Sequence, residues 1–113
     1  MQPKILLSEG TSLSAREAIN TLGLSGRVVD VCAPTRWCLG GFSRWVRRVH
    51  RTPAVGVDPG GYVQAVRSLC ETQPFDVLLP VHEQAYLFAA LRESQSTWPT
   101  ARTAIPVASF HAF

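Results

Sequence analysis

A short apolar run that ends at a proline constrains the fold of this chain more than any other feature. Val77, Leu78 and Leu79 are continuously apolar, which is typical of a strand covered on both faces in a parallel sheet. Pro80 ends that strand, because its nitrogen has no hydrogen to donate to a neighbour. An apolar helix follows and extends to about Arg92, so the segment predicts a buried strand that turns directly into a helix.

The polar residues between this strand and this helix form a candidate site. His82, Glu83 and Gln84 follow the carboxyl end of the strand, where open α/β sheets place the residues that contact ligands. A zinc site of the H-E-x-x-H type is excluded, because the second histidine is replaced by Tyr86. Glu83 is also explained as a first-turn acid that stabilises the helix N-terminus, and both interpretations stay open.

Strands and helices alternate along the remainder of the chain. Strands are predicted at residues 4–8, 27–32, 53–57 and 103–107, and helices at 15–23, at 39–49 and from Asp58 onward. A Ser14–Glu17 capping box starts the first helix, and Gly23 ends it. Asp58 caps the third helix, with Pro59 in its first position. This alternation predicts right-handed βαβ crossovers and a parallel sheet. We expect an α/β, Rossmann-like, three-layer α/β/α domain with a mainly parallel sheet of four or five strands, and for a domain of that class we expect the strand order 3-2-1-4-5.

Composition and charge exclude several classes of protein. A chain of 113 residues that is 46% apolar and 17% charged builds one globular domain rather than a disordered chain. The net charge of +3 suits an anionic ligand but is too small to indicate nucleic-acid binding. No apolar run is long enough for a signal peptide or a membrane span, and Cys32, Cys38 and Cys70 form no paired motif. We therefore expect a cytoplasmic protein with reduced thiols and no membrane partner.

Arginines at helical spacing suggest a basic surface. If residues 39–49 are helical, one face carries Arg44, Arg47, Arg48 and Arg51. Such a face can bind phosphate, RNA or an acidic protein, or it can simply be solvated. The first interpretation defines an alternative function for the chain, namely a stand-alone interaction module that binds an anionic partner through Arg44–Arg51.

The turn after the first strand lacks a nucleotide fingerprint. Residues 9–12 contain a single glycine, Gly10, so neither G-x-G-x-x-G nor a P-loop can be drawn there. Without that fingerprint, Asp30 is better interpreted as a polar residue at a strand end than as a ribose-binding acid. No nucleophile elbow surrounds Ser8, and the sequence contains no complete catalytic constellation.

Taken in order, these segments resemble the N-terminal, pre-ATP-grasp domain of ATP-grasp carboxylate–amine ligases. The resemblance is carried by Lys4-Ile-Leu-Leu-Ser, the helix from Ala15 to Gly23, Phe42-Ser-Arg-Trp-Val-Arg-Arg-Val-His-Arg, Asp58-Pro59 with Tyr62, Asp76-Val-Leu-Leu-Pro-Val-His-Glu, and Thr103-Ala-Ile-Pro-Val-Ala-Ser-Phe. It covers nearly the whole chain. It implies that residues 1–108 are the pre-ATP-grasp-like domain and that residues 109–113 start a linker to an ATP-binding domain.

The resemblance also implies a division of labour between two domains. In that family the downstream domain holds ATP and Mg²⁺, a substrate carboxylate receives the phosphate, and an amine attacks the resulting acyl-phosphate. This chain alone is then not a ligase, and a small carboxylate or amine is the substrate of the whole protein. The substrate-facing positions implied here are Glu9, Gly10, Thr11, His82 and Glu83. Without its partner domain, the chain is expected to expose apolar rings that favour self-association: Trp98, Phe110 and Phe113.

Overall fold

Four parallel strands form the centre of the structure. A computed structural model describes residues 3–35, 43–81, 84–95 and 97–105. Its strands are β1 (Ile5–Leu7), β2 (Val29–Ala33), β3 (Val46–Arg51) and β4 (Val77–Leu79), and its helices are α1 (Leu13–Leu24), α2 (Pro59–Thr72) and α3 (Gln84–Ser94). The strand order is β3-β2-β1-β4, with parallel pairing throughout. The predicted α/β, Rossmann-like fold is confirmed.

Alternate side chains of the central strands enter two separate cores. Ile5 and Leu7 face one side of the sheet, where α1 contributes Ala15 and Ile19. Leu6 faces the other side and packs with residues from α2 and α3: Tyr62, Val66, Cys70 and Phe88. The two-residue period of a strand therefore places one helix on one face and two helices on the other.

The chain changes its direction across the sheet after β3. Strands β2 and β3 lie in succession on one side of β1, whereas β4 lies on the other side. The carboxyl ends of β1 and β4 consequently flank a switch-point crevice, the usual ligand position in open α/β sheets. The fifth predicted strand is reduced, over the described residues, to an isolated parallel bridge between Val77 and Ala104. Residues 106 and 107 of that prediction lie outside the described ranges.

The helix predicted at residues 39–49 is wrong over its described part. Residues 46–51 instead form the edge strand β3, and residues 53–57 are irregular and include a turn rather than a strand. The predicted order of the first four strands is nevertheless correct, although a different segment supplies the third strand.

A bulge in β3 explains why its sequence resembles a helix. Val29 pairs with Val46 and Asp30 pairs with Arg48, so Arg47 is an extra residue in the ladder. The bulge changes the alternation of side chains, and Val46 and the valine three positions later both pack on the α1 side of the sheet. A spacing of three between apolar residues therefore imitates helical periodicity.

Helix α1 begins before the predicted capping box. The Ser12 hydroxyl accepts a 3.0 Å hydrogen bond from the Ala15 N–H and is the N-cap, whereas Ser14 and Glu17 are exposed residues within the helix. The start of α2 is as predicted, because the Asp58 side chain accepts a bond from the backbone N–H three residues later. Within the described ranges, no helix is long and apolar enough to cross a membrane.

Two glycines near the end of α1 have different roles. Gly26 adopts a left-handed conformation with φ of 88°, and it rather than Gly23 supplies the turn that ends the helix. Gly23 lies inside the helix, where a Cβ atom would overlap the ring of Trp45. The predicted stop residue is therefore needed for a close contact and not for termination.

Trp98 is buried, contrary to the expected exposure. Its side chain is 2% exposed, and its ring centroid lies 5.1 Å from that of Phe88. The Arg92 guanidinium also donates a 2.7 Å hydrogen bond to the Trp98 carbonyl. This tryptophan belongs to the core of the domain and offers no surface for self-association, while Phe110 and Phe113 lie outside the described residues.

Candidate functional site

A cavity of about 150 Å³ opens at the carboxyl edge of the sheet. Its described lining comes from the end of β2, from the segments that follow β1, β2 and β3, and from two helices: Ser8, Glu9, Thr11, Cys32, Ala33, Pro34, residues 52–56, Tyr62 and Gln84. Parallel strands have their carboxyl ends at one edge, so segments that are distant in sequence converge there. This is the edge at which the sequence predicted a site.

The turn after β1 is organised around the Glu9 carboxylate. Its Oε2 accepts hydrogen bonds from the Thr11 N–H (2.7 Å), the Thr11 hydroxyl (2.6 Å) and the Ser12 N–H (3.1 Å), and its Oε1 accepts one from the Ser12 hydroxyl. Burial raises the pKa of Glu9, but these bonds outweigh it and hold that pKa below its ordinary value. The carboxylate therefore stays ionised and occupies the turn that leads into the N-terminus of α1, where it uses the N–H groups of Thr11 and Ser12. Gly10 is buried within the same turn.

Ser8 joins β1 to the segment that follows β4. Its N–H donates to the Leu79 carbonyl (3.0 Å), its hydroxyl accepts from the Val81 N–H (2.8 Å), and its carbonyl accepts from the Tyr62 hydroxyl (2.6 Å). Burial raises the pKa of Tyr62 well above its ordinary value, so the phenol stays protonated and keeps donating. Ser8, which is fully buried, thus joins the ends of β1 and β4 at the base of the switch-point crevice.

Gln84, which lines the cavity, has a polar side-chain atom without a hydrogen-bond partner in the described part of the chain. The residue is 7% exposed, and its Oε1 has no hydrogen-bond partner within the described structure. Most buried polar groups in proteins are hydrogen-bonded, so this acceptor marks a place for a donor. Sequence reasoning put Gln84 at this strand end without assigning it a role. Its predicted companions, His82 and Glu83, lie outside the described residues.

A larger depression of about 530 Å³ adjoins the cavity. It lies between the start of α2 and one side of α3, and most of its described lining is apolar: Val55, Gly56, Pro59, Gln84, Tyr86, Leu87 and Ala90. Val55, Gly56 and Gln84 line both spaces, so the two are continuous. We call this larger space the apolar groove. Its volume is within the range of about 300–1,000 Å³ that small-molecule sites occupy.

The predicted basic helix face is not formed. Arg48 and Arg51 are three residues apart in a strand, so they project to opposite faces of the sheet. Arg47 binds Asp30, with Nε–Oδ1 and Nη2–Oδ2 distances of 2.9 Å, and Arg44 lies over a neighbouring tryptophan ring. Binding of an anionic partner by these arginines stays a prediction, but the shared helix face on which it rested is absent from the described residues.

Asp30 is a buried member of β2 rather than a polar residue at a strand end. It is 1% exposed, and its Oδ2 lies 2.7 Å from Nε2 of His50 in addition to its two contacts with Arg47. Both partners belong to β3, and none of the three residues lines the cavity. This network fastens the edge strand to the sheet.

The chemistry of the cavity suits binding better than nucleophilic attack. Burial raises the pKa of Cys32 strongly and that of Cys70 to about 11, so both thiols are neutral at pH 7. Cys32 therefore lines the cavity without providing a thiolate, and Cys38 lies outside the described residues. Among the residues that the structure describes, no three His, Cys, Asp or Glu side chains converge as a metal centre would require.

Two residues of the cavity, Thr52 and Tyr62, were not predicted from the sequence as site residues. Tyr62 lies on the apolar stripe of α2, where a hydroxyl that reaches a strand end looks the same as a core aromatic ring. No family model matches this chain, and no curated protein matches it significantly. The fold and the geometry of the cavity are therefore the basis for assigning a function.

Proposed function

We propose that this domain forms the substrate-side wall of the active-site cleft in an ATP-grasp carboxylate–amine ligase and does not itself bind ATP. The observation that carries the proposal is the Glu9 carboxylate at the N-terminus of α1. In nucleotide-binding α/β folds the phosphates occupy this position and need the same backbone N–H donors. A phosphate group would here have to displace a carboxylate of like charge.

The polar groups of the cavity support a positioning role. They are hydroxyl and amide groups and one carboxylate, in a crevice whose base Ser8 holds in place. In the proposed ligase, ATP and Mg²⁺ bound by a partner domain would supply phosphoryl transfer to a carboxylate. The residues of this chain would hold the small carboxylate or amine in line, and such positioning contributes strongly to bimolecular reactions.

Isothermal titration calorimetry tests the nucleotide part of the proposal. The chain is expected to give no binding heat with Mg²⁺·ATP, and a micromolar affinity would refute the proposal. Glu9→Ala frees the N–H donors of Thr11 and Ser12 and is expected to allow weak phosphate binding. Glu17→Ala removes an exposed acid from α1, the helix that follows this turn. It is the matched control, for which no phosphate binding is expected.

Steady-state kinetics test the substrate part in a protein that joins this domain to an ATP-grasp region. Thr52→Val removes a hydroxyl from the cavity lining at nearly constant volume, so the KM for the carboxylate or amine substrate is expected to rise while the KM for ATP does not change. Thr72→Val, at the exposed end of α2, is the control. Equal changes in both KM values for Thr52→Val would contradict a substrate wall at this edge.

A further inference from the structure

The unsatisfied acceptor of Gln84 indicates what kind of ligand group the cavity binds. Its Oε1 is buried and has no donor among the described residues, and Gln84 is one of the residues that line both the cavity and the apolar groove. A carbonyl oxygen can only accept hydrogen bonds. The complementary ligand group therefore carries N–H or O–H donors, and a second acceptor such as a carboxylate would leave Gln84 unsatisfied.

The charge of the lining favours a cationic donor. Among the described residues that line the cavity or the groove, Glu9 is the only Asp, Glu, His, Lys or Arg, and burial keeps Cys32 and Tyr62 neutral at pH 7. No described lysine or arginine contributes to either lining. A ligand anion would thus meet a carboxylate without a compensating cation, whereas an ammonium group would be attracted.

The shape of the combined site favours a ligand with a polar head and an apolar tail. The cavity of about 150 Å³ holds a small group, since a space of that size accommodates about five water molecules. The apolar groove continues from it past Val55 and Gly56 to Leu87 and Ala90. Most of the buried contact area available to a ligand therefore lies in the groove, and the polar groups lie at its inner end.

We propose that this site binds a primary amine with an aliphatic or aromatic tail. The ammonium group donates to Oε1 of Gln84 in the field of the Glu9 carboxylate, and the tail lies in the apolar groove. The inference deepens the proposed function, on which it rests for the role of this amine as the nucleophilic substrate. The binding itself can be measured on the chain alone.

Titrations monitored by amide NMR shifts test this with two probes that share a phenyl tail. 2-Phenylethylamine is a cation at pH 7, and 3-phenylpropionate is an anion of similar size. We expect the amine to shift amide resonances around the cavity and the groove and to bind at least about tenfold more tightly than the acid. Equal or tighter binding of the acid, or no binding of the amine at millimolar concentration, would overturn the inference.

Substitutions at Gln84 separate its acceptor from general effects on the helix. Gln84→Leu is expected to weaken amine binding about tenfold, as the loss of one hydrogen bond to a charged group requires, and Gln84→Glu is expected to strengthen it. Gln64→Leu, on an exposed position of α2, is the matched control and should not change the affinity. Amine binding that is insensitive to both substitutions at Gln84 would overturn the inference.

A second variant tests the tail independently of the polar group. Ala90→Leu fills part of the groove and should reduce the affinity for 2-phenylethylamine to that of ethylamine, which has no tail. If this variant still binds 2-phenylethylamine more tightly than ethylamine by the same factor as the wild type, the placement of the tail in the apolar groove is overturned. The two proposals can fail separately. If the amine does not bind, the inferred amine site is refuted, but the expected absence of ATP binding is not affected. If Mg²⁺·ATP binds with micromolar affinity, the proposed function is refuted, but the amine site is not.

Discussion

Replacing Asp30 by asparagine is expected to destabilise the domain by about 2–3 kcal/mol. Asparagine keeps the volume of the side chain but removes its charge and converts one acceptor oxygen into an NH₂ donor. Both carboxylate oxygens are in use, since Oδ1 accepts from Arg47, and Oδ2 lies within hydrogen-bond distance of Arg47 and His50. In either of its two orientations, the new NH₂ group therefore faces an N–H donor of Arg47.

The exposed fractions of the Asp30 and Arg47 side chains determine the expected loss of stability. The Asp30 side chain is 2% exposed, so water cannot replace the lost bonds there, and removing one partner of a fully buried ion pair costs about 3–5 kcal/mol. The Arg47 side chain is 47% exposed and can regain water, which lowers the expected cost to about 2–3 kcal/mol. At about 4 °C of Tm per kcal/mol for a domain of this size, Tm should fall by about 8–12 °C.

Urea denaturation followed by tryptophan fluorescence measures this change. With a slope of about 1.5 kcal/mol/M, the midpoint should fall by about 1.3–2 M. Asp58→Asn is the matched control, because asparagine caps an exposed helix N-terminus as well as aspartate does. In an Arg47→Gln background, Asp30→Asn should cost about 1–2 kcal/mol less than in the wild type. A midpoint for Asp30→Asn equal to that of the wild type would refute the view that this carboxylate fastens β3 to β2.

Three further predictions concern the switch-point crevice and α1. Ser8→Ala removes the acceptor of the buried Val81 N–H, so unfolding should become about 1–3 kcal/mol easier and hydrogen exchange at that amide should accelerate. Because its pKa is lowered on folding, Glu9 contributes stability that is present above its ordinary pKa of 4.5 and is lost as pH falls below it. Glu9→Gln should therefore lower the Tm at pH 7 and approach the wild type as the pH falls to 3. Gly23→Ala forces the Trp45 ring to move and should cost about 1–3 kcal/mol in urea melts, although alanine is the better helix former.

Each of these predictions has an outcome that would contradict it. Unchanged exchange at the amide of residue 81 in Ser8→Ala would show that the serine hydroxyl is not its acceptor. A constant difference in Tm between Glu9→Gln and the wild type from pH 7 to pH 3 would exclude a lowered pKa. Gly60→Ala, where a Cβ atom meets nothing within 4 Å, is the control for Gly23→Ala, and equal effects of the two substitutions would exclude the overlap with Trp45.

Elements that depend on short-range chemistry were predictable from the sequence. The apolar run of β4 ends at a proline, and the Asp58-Pro59 pair starts α2 through a cap and a restricted backbone angle, both of which are local effects. The parallel sheet follows from the alternation of strands and helices, and its order is the one expected for the Rossmann-like fold class. These predictions needed no knowledge of which residues meet in space.

Elements that depend on a distant partner were not predictable. The bulge in β3 makes Arg47 an extra residue in the ladder, and Arg47 binds Asp30 on the adjacent strand. The spacing of the valines contains no sign of this distant partner and by itself fits a helix better. The start of α1 was mispredicted for a local reason. Ser12 and Ser14 are both acceptable caps, and the bonds from Glu9 to the turn favour the former.

By itself, the sequence determined the fold class of this protein and pointed to the edge of the sheet at which the cavity opens. Periodicity and capping reflect burial and local backbone conformation, and these are sufficient to order the layers and to bring the strand ends together. Only the tertiary structure decided which groups meet at that edge, namely a carboxylate already bonded to its own turn, a tyrosine that holds Ser8, and a glutamine without a donor. The physical reason is that hydrogen-bond satisfaction and net charge in a cavity are sums over residues from separate segments, and no local pattern contains such a sum.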